Sequence, residues 1–390
     1  MRLNSSQTFN FFPVPTDIHF GCGVLSTLRE RLASLGCHRP MLVTDPGLRA
    51  TGVVERIAAL LGSGDAGLSV FDGVRPDSGS DLIGEAASQA RECRADAVVG
   101  IGGGSSLDTA KAVAAMATNS GSILDYVGLH KIVTRPLPII AIPTTAGTGS
   151  EVTLWSVFSD PHRQIKVAAG SFLLYPTVAL CDPELTVDLP PSLTASTGMD
   201  ALGHAVECYT NNACQPLSAA LALEAIRLIG GALRTAVWNG QDRSARYSML
   251  LASTMAGIAM NPTRLGLAHA LAMPLGSWQL RVPHGAAIAI TLPVVMEFNY
   301  LAHPDRYLDV ARALGEPVDQ LAPHDAAARS FSAVRTLAQD VGIPGGLREF
   351  GVGEEHIDCV AAEAMKSGNV TVNPRRATVE DMRRILKKAL

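Results

Sequence analysis

The stretch Ala97-Val-Val-Gly-Ile-Gly-Gly-Gly-Ser-Ser-Leu-Asp-Thr-Ala-Lys111 joins a short β-branched run to an amphipathic run through three consecutive glycines. This pattern predicts a strand that ends at Ile101 and a helix that begins near Ser106. Glycines let backbone amides approach an anion, and the start of a helix adds partial positive charge. The turn is therefore predicted to hold a phosphate group, although packing of a β-to-α connection also favours glycine.

Similar alternation extends through the first half of the chain. The other predicted strands cover residues 41–44, 68–71, 137–142, 153–158, 165–168 and 177–181. The predicted helices cover residues 25–35, 53–61, 80–93 and 106–118. Strands that alternate with helices predict a parallel sheet covered on both faces, as in a Rossmann-like α/β domain. We place this dinucleotide-binding domain at residues 1–187.

The second half is rich in Ala and Leu at helical spacing, and strand patterns nearly vanish. Helices are predicted over residues 193–209, 217–237, 246–260, 264–273, 326–340, 355–365 and 379–390. We therefore expect an all-α domain over residues 188–390.

Composition narrows the classes of function. The 390 residues carry a formal charge of −4 without charged blocks, so nucleic acid is not an expected partner. The longest apolar run, residues 286–296, falls short of the roughly 20 residues that span a bilayer, so no membrane partner is expected. Seven cysteines form no Cys-x-x-Cys pair, which favours reduced thiols and a cytoplasmic location.

A second loop, Ile142-Pro-Thr-Thr-Ala-Gly-Thr-Gly-Ser-Glu151, also follows an apolar strand. Its hydroxyls and small residues suit the pyrophosphate and nicotinamide side of a dinucleotide, because open α/β sheets bind ligands at the carboxyl ends of their strands. Asp45 closes the strand over 41–44. Its carboxylate is expected to accept from a ribose hydroxyl and to repel a 2′-phosphate, favouring NAD over NADP. The alternative for Asp45 is a helix or turn cap before Pro46.

A cluster of candidate metal ligands lies in the predicted helical domain. Asp200 and His204 are four residues apart, which places both on one face of a helix. His269 follows in another helical segment, and His284 follows in Pro-His-Gly, where Gly285 suggests a tight turn. One carboxylate and three imidazoles suit Fe(II), Zn(II), Co(II) or Mn(II). Such a metal would lower the pKa of an alcohol and polarise a carbonyl group.

Four runs resemble the iron-dependent (group III) alcohol dehydrogenases: residues 102–111, 143–151, 198–207 and 283–285, in the family's order. The resemblance extends from about Phe9 to the C-terminus and implies a helical metal-binding C-terminal domain, as in the dehydroquinate synthase-like superfamily, and a homodimer. It places the metal on Asp200, His204, His269 and His284. It places cofactor contacts at Asp45, Gly103, Gly104, Ser105, Asp108, Thr144, Thr145, Thr148, Ser150 and Lys166.

One position departs from the family. Many members carry a second histidine four residues after the third ligand, where this chain has Met273. A thioether takes up no proton, so Met273 either lines the substrate pocket or marks a changed substrate class. Trp155 and Trp278 are further candidates for the pocket.

The expected function is metal-dependent interconversion of a small primary alcohol and its aldehyde, with hydride passing to or from NAD. Iron is the expected metal, and zinc is the alternative. A hydroxyacid–oxoacid transhydrogenase or a dehydroquinate synthase-like lyase remains as an alternative activity.

Overall fold

The computed structural model describes Phe9 and residues 14–62, 68–76, 78–277 and 279–390. The chain forms two compact units. Val14–Thr145 and Gly149–Thr186 form one, which we call the α/β unit, and Ala146–Thr148 and Val187–Leu390 belong to the other, the helical unit. The short segment Ala146–Thr148 thus belongs to the helical unit, although the residues on both sides of it belong to the α/β unit.

Nine strands occur in the described residues, all in the α/β unit. They are β1 (Asp17–Phe20), β2 (Pro40–Val43), β3 (Ser69–Phe71), β4 (Ala97–Gly102), β5 (Gly128–Leu129), β6 (Ile139–Pro143), β7 (Trp155–Asp160), β8 (Ile165–Gly170) and β9 (Val178–Cys181). Six form a parallel sheet in the order β1-β9-β6-β4-β2-β3, and β5, β8 and β7 form a separate three-stranded sheet. The predicted parallel sheet is confirmed.

Five α-helices surround this sheet: α1 (Leu28–Ser34), α2 (Pro46–Arg49), α3 (Val53–Leu61), α4 (Ser80–Glu92) and α5 (Gly104–Thr118). Successive side chains of a strand point to opposite faces, and β4 shows the consequence. Val99 packs in one core cluster with Ile57 of α3, whereas Val98 packs in another with Ala90 of α4 and Val113 of α5. Because both faces are covered, every residue of β4 is buried.

The helical unit contains the remaining α-helices of the described chain. They are α6 (Pro191–Thr210), α7 (Pro216–Trp238), α8 (Arg243–Thr263), α9 (Leu267–Leu275), α10 (His284–Asn299), α11 (Pro304–Ala313), α12 (Pro323–Asp340), α13 (Ile357–Ala364) and α14 (Val379–Ala389). Helix α6 packs against α7, α8 and α10. It is buried on nearly all sides, so the unit is built around it.

Arg246 of α8 fixes the chain where it enters α6. Its guanidinium donates to the carbonyl oxygens of Val187 and Leu189 at 3.2 Å each and to Thr194 Oγ1 at 2.8 Å. The planar guanidinium suits several simultaneous acceptors. The start of α6 is thereby held against α8.

The seven predicted strands form within two residues of their expected ends, while β1, β5, α2, α10 and α11 were not predicted. Helix α10 is apolar on all sides and contains Pro293, so its sequence shows no amphipathic period. Its burial within the unit, rather than a periodic pattern, accounts for its position.

Two helical segments, Pro216–Trp238 and His284–Ala302, are long and apolar enough to span a membrane by length and composition alone. About 72% of the apolar window in the second segment is buried inside the protein. Core helices of water-soluble folds have the same composition.

Candidate active site

Helix α6 supplies two of the four predicted ligands. Asp200 and His204 lie one turn apart on the same face, as their spacing predicts. Asp200 Oδ1 is 3.9 Å from His204 Nε2, and both side chains are almost fully buried. This pair forms the buried part of the cluster.

The other two histidines come from neighbouring helices. His269 is the third residue of α9 and His284 is the first residue of α10. Their Nε2 atoms lie 3.6 and 3.5 Å from Asp200 Oδ1. The side chain of His284 is 32% exposed, whereas those of Asp200 and His269 are each 5% exposed. The structure thus brings all four predicted ligands together and leaves His284 on the accessible side.

The expectation of a tight turn at Gly285 is wrong, because α10 begins at His284 and Gly285 lies within the helix. The glycine is required for a different reason. A Cβ at position 285 would lie 2.2 Å from the carbonyl oxygen of Ser196 on α6, and one at Gly203 would lie 2.5 Å from Ile288 Cγ2 on α10. Two glycines therefore let α6 and α10 approach closely at the cluster.

Two further groups orient the buried histidines. His204 Nδ1 lies 3.2 Å from the carbonyl oxygen of Gly147, and His269 Nδ1 lies 2.6 Å from Glu207 Oε2. An oxygen acceptor at Nδ1 favours the tautomer that leaves the Nε2 lone pair free. Gly147 and Glu207 are not among the predicted site residues, although Asp200, His204 and Glu207 follow a one-face spacing of four and three residues.

The cluster strongly favours a negatively charged Asp200. Burial acts to raise the pKa of Asp200, but the adjacent His204, His284 and His269 outweigh it and hold that pKa well below its usual value. Burial lowers the pKa of His204. Burial also acts to lower the pKa of His269, but Asp200 and Glu207 together outweigh it and raise that pKa to about 9. The negatively charged, buried carboxylate of Asp200 thus favours a cation among the three histidines.

The unpaired atoms at this point test whether a metal ion fits. Neither Asp200 Oδ1 nor His269 Nε2 has a hydrogen-bond partner within the described chain, although both atoms are fully buried. Leaving such atoms unsatisfied costs free energy. Asp200, His269 and His284 each offer a ligand atom within 4.8 Å of the others. One carboxylate oxygen and imidazole nitrogens match the preference of a divalent transition metal, so the residues fit.

In the α/β unit, the glycine loop has the predicted geometry, with α5 starting at Gly104, two residues earlier than expected. Gly102 adopts a φ of 142°, and a Cβ there would lie 2.5 Å from Ser106 Oγ. A Cβ at Gly103 would lie 3.3 Å from Thr145 Cγ2. The two predicted cofactor loops therefore meet at the carboxyl ends of β4 and β6, because these strands are neighbours.

The predicted cofactor residues fall into separate groups. Asp45 lies beside the glycine loop, where Oδ1 accepts from Leu48 N at 2.9 Å and Oδ2 lies 3.3 Å from Ser106 Oγ. Asp45 therefore caps α2, and its second oxygen faces the loop. Ser105 lies in the first turn of α5, and Thr144 lies in the loop that follows β6.

Asp108 instead joins α5 to β7. Its Oδ1 accepts from Ser150 Oγ at 2.5 Å and from Lys111 Nζ at 3.4 Å, while Oδ2 accepts from Val157 N at 2.9 Å. Lys111 is fully buried and also donates to the carbonyl oxygen of Trp155 at 2.7 Å. Both carboxylate oxygens of Asp108 are thus engaged by the protein itself.

The other predicted positions are scattered. Lys166 lies on β8 opposite Ser159, and Thr148 lies in the segment that belongs to the helical unit. Trp155 packs its ring over Gly170, where a Cβ would lie 2.4 Å from Trp155 Cζ3. Met273 is half-buried on α9, one turn beyond His269. Trp278 lies outside the described residues.

The chain matches two family models, "Iron-containing alcohol dehydrogenase" over residues 15–183 and "Fe-containing alcohol dehydrogenase family, C-terminal" over residues 194–390. It is 39% identical to the NAD-dependent methanol dehydrogenase of Bacillus methanolicus, over 98% of this chain and 100% of that protein. It resembles the crystal structure of a 1,3-propanediol oxidoreductase with a TM-score of 0.94 and 38% identity, over 98% of this chain and 100% of the other. Sulfoacetaldehyde reductase from Bifidobacterium kashiwanohense, in complex with NAD+, gives a TM-score of 0.89 and 31% identity, over 98% and 99% of the two chains.

These matches cover both units and agree with the ligand cluster. The chain therefore belongs to the iron-containing alcohol dehydrogenase family, and it is an oxidoreductase of alcohols and aldehydes.

Proposed function

We propose that this enzyme interconverts a small primary alcohol and its aldehyde with NAD as the hydride carrier and a divalent metal held by Asp200, His204, His269 and His284. The observation that carries the proposal is the convergence of three histidine Nε2 atoms within 3.5 to 3.9 Å of Asp200 Oδ1. When bound, the metal supplies Lewis acidity toward the reacting oxygen, and nicotinamide supplies the hydride acceptor or donor.

Groups of the protein orient the histidine ligands and shield the site from water. Gly147 and Glu207 accept from the Nδ1 atoms of His204 and His269, so both imidazoles present Nε2 toward Asp200. Burial excludes water from Asp200 and His269, while the partly exposed His284 marks the side open to substrate. Exclusion of water strengthens electrostatic interactions at the reacting oxygen.

The choice of NAD rests on the glycine loop and on Asp45. Gly103, Gly104 and Ser105 lie at the start of α5, where backbone N–H groups favour a phosphate. Thr144 and Thr145 continue this surface from the neighbouring strand, and Asp45 supplies a carboxylate that disfavours a 2′-phosphate. Two relatives support the same coenzyme, since one is named NAD-dependent and the other was solved with NAD+.

Iron is the proposed metal, because the family is named for it, and zinc suits the same ligands. The proposed substrate is a short alcohol or aldehyde, since the relatives act by name on methanol, 1,3-propanediol and sulfoacetaldehyde. Trp155 and Met273 are the proposed pocket residues within the described chain. No observation favours the transhydrogenase or lyase alternatives.

The decisive experiment measures NADH consumption by protein purified without oxygen and loaded with Fe(II) or Zn(II). A panel of short aldehydes provides the substrates, and chelator-treated protein provides the control. We expect consumption that disappears on chelation and returns on reloading. Consumption that is unchanged by chelation would refute the metal role, and exchange of hydride without net NADH turnover would favour the transhydrogenase.

We also propose that the enzyme is a cytoplasmic homodimer. The seven cysteines are scattered along the chain and form no Cys-x-x-Cys pair, which suits a reducing compartment. The dimer follows from the family resemblance, and sedimentation velocity of the purified protein tests it through the mass of the sedimenting species.

A further inference from the structure

Glu207 occupies an unusual position for a carboxylate. It lies on α6, seven residues after Asp200, and its side chain is only 4% exposed. Its Oε1 accepts from Ala268 N at 2.7 Å, and its Oε2 accepts from Gly266 N at 2.8 Å. These donors belong to the start of α9, whose first N–H groups lack partners within the helix. Glu207 therefore binds the N-terminus of the helix that carries His269.

The same carboxylate also contacts the imidazole. Glu207 Oε2 lies 2.6 Å from His269 Nδ1, a distance typical of a short, charge-assisted hydrogen bond. An ionised carboxylate has only acceptor atoms, so Nδ1 must carry the proton of this bond. Nε2, on the other side of the ring, lies 3.6 Å from Asp200 Oδ1.

The glycine before α9 makes this contact possible. A Cβ at Gly266 would lie 2.7 Å from Glu207 Oε1, too close for any side chain. Asn211, one turn after Glu207, supports the same segment, because its Nδ2 donates to the carbonyl oxygens of Thr263, Arg264 and Leu265. The C-terminal end of α6 thus holds the turn that leads into α9, while the middle of α6 carries Asp200.

From this geometry we propose that Glu207 is a positioning residue that fixes the ring orientation and the tautomer of His269 for metal binding. The inference rests on the proposed metal site. Carboxylates that accept from the second nitrogen of a histidine ligand typically raise metal affinity by 10–100-fold. A purely structural role, as a cap for α9, would instead stabilise the fold without acting through the His269 ring.

A double-mutant cycle separates the two roles. The four proteins are the wild type, Glu207→Gln, His269→Ala and the double variant, and the Kd for Zn(II) is measured by chelator competition. We expect Glu207→Gln to weaken binding about 10–100-fold in the wild-type background. It should have little further effect in the His269→Ala background, because the ring through which Glu207 acts is absent.

Equal affinity of Glu207→Gln and wild type, or equal loss in both backgrounds, would overturn the inference. If His269→Ala binds Zn(II) too weakly to measure, the visible spectra of Co(II)-saturated wild type and Glu207→Gln distinguish the positioning role from the structural role. A changed spectrum supports positioning, and an unchanged spectrum with a lowered Tm supports the structural role. Failure of the wild type itself to bind metal would refute the proposed function instead.

Glu224→Gln is the matched control, because Glu224 pairs with Arg227 on the exposed surface of α7. Its affinity for Zn(II) should equal that of the wild type. Should Glu207→Gln not fold, Glu207→Asp replaces it. This variant keeps the charge but shortens the reach to Nδ1, so the same two outcomes apply.

Discussion

Gly285 lies so close to Ser196 that a Cβ at position 285 would come within 2.2 Å of the Ser196 carbonyl oxygen and 2.5 Å of its Oγ. Real Cβ atoms do not approach backbone oxygen this closely, so any side chain would push α10 away from α6. Since His284 is the preceding residue, this contact sets the distance between His284 and Asp200.

The substitution Gly285→Ala tests this contact. We expect it to lower the free energy of unfolding by about 1–3 kcal/mol, typical of overpacking, and to weaken metal binding by moving His284. Thermal unfolding and metal stoichiometry provide the measurements. Gly231→Ala is the matched control, because a Cβ at Gly231 on α7 meets nothing within 4 Å. It should be neutral or stabilising by up to about 1 kcal/mol. Equal behaviour of the two variants would contradict the close-packing argument.

Asp200→Asn should abolish tight metal binding. All three histidine Nε2 atoms surround the Asp200 carboxylate. An asparagine amide has the same shape but lacks the negative charge that attracts the cation. We expect a loss of affinity larger than the 10–100-fold typical of an outer partner, together with loss of alcohol-dependent NADH formation. Metal content after dialysis is the direct readout.

Asp340→Asn is its control, because Asp340 forms a half-exposed ion pair with Arg234. Such surface pairs contribute about 0–1 kcal/mol, so metal content and activity should be unchanged. Full metal retention by Asp200→Asn would show that the four side chains do not form the site.

Asp45→Ser should narrow the preference for NAD over NADP. The substitution removes the negative charge beside the glycine loop, and the serine hydroxyl still caps Leu48 N. We expect the ratio of kcat/KM for NAD to that for NADP to fall about tenfold, or about 1.4 kcal/mol. Asp72→Asn, which removes an exposed carboxylate paired with Arg49, is the control. An unaltered ratio in Asp45→Ser would leave only the capping role for Asp45.

The cysteines should differ sharply in reactivity. Cys22 and Cys359 are exposed, whereas Cys37, Cys181, Cys208 and Cys214 are buried. Burial raises the pKa of Cys37, Cys208 and Cys214, so each of these thiols forms less of the reactive thiolate than an unperturbed thiol at the same pH. Iodoacetamide should therefore label Cys22 and Cys359 first, because the reagent reaches these exposed thiols in the folded protein.

Mass spectrometry of tryptic peptides identifies the labelled thiols. The buried cysteines should react only after unfolding, which denatured protein shows as the control. Rapid labelling of Cys208 in the native protein would mean that the C-terminal end of α6 opens readily.

Much of the fold could be predicted because the relevant patterns are local. Val53–Leu61 forms the predicted helix with the same ends, and its apolar residues repeat at helical spacing. Helix α10 was missed because its residues are apolar on every side, which gives no period to detect. The two-residue strand β5 is too short for any alternation to appear.

The features of the candidate site also divide into those that local sequence encodes and those that depend on packing. The sequence by itself identified the candidate ligands and predicted that Asp200 and His204 share one face, because four-residue spacing is a local property of a helix. It also predicted the glycine loop from three consecutive glycines after an apolar run, and the φ of 142° at Gly102 favours glycine there.

Only the tertiary structure decided which atoms meet. The contact of Glu207 with His269 spans 62 residues, and that of His204 with Gly147 spans 57. Both depend on how α6 packs against other segments, as does the need for glycine at position 285. Local periodicity encodes which face of a helix is apolar, but the atoms that meet across that face are fixed by close packing of segments distant in sequence.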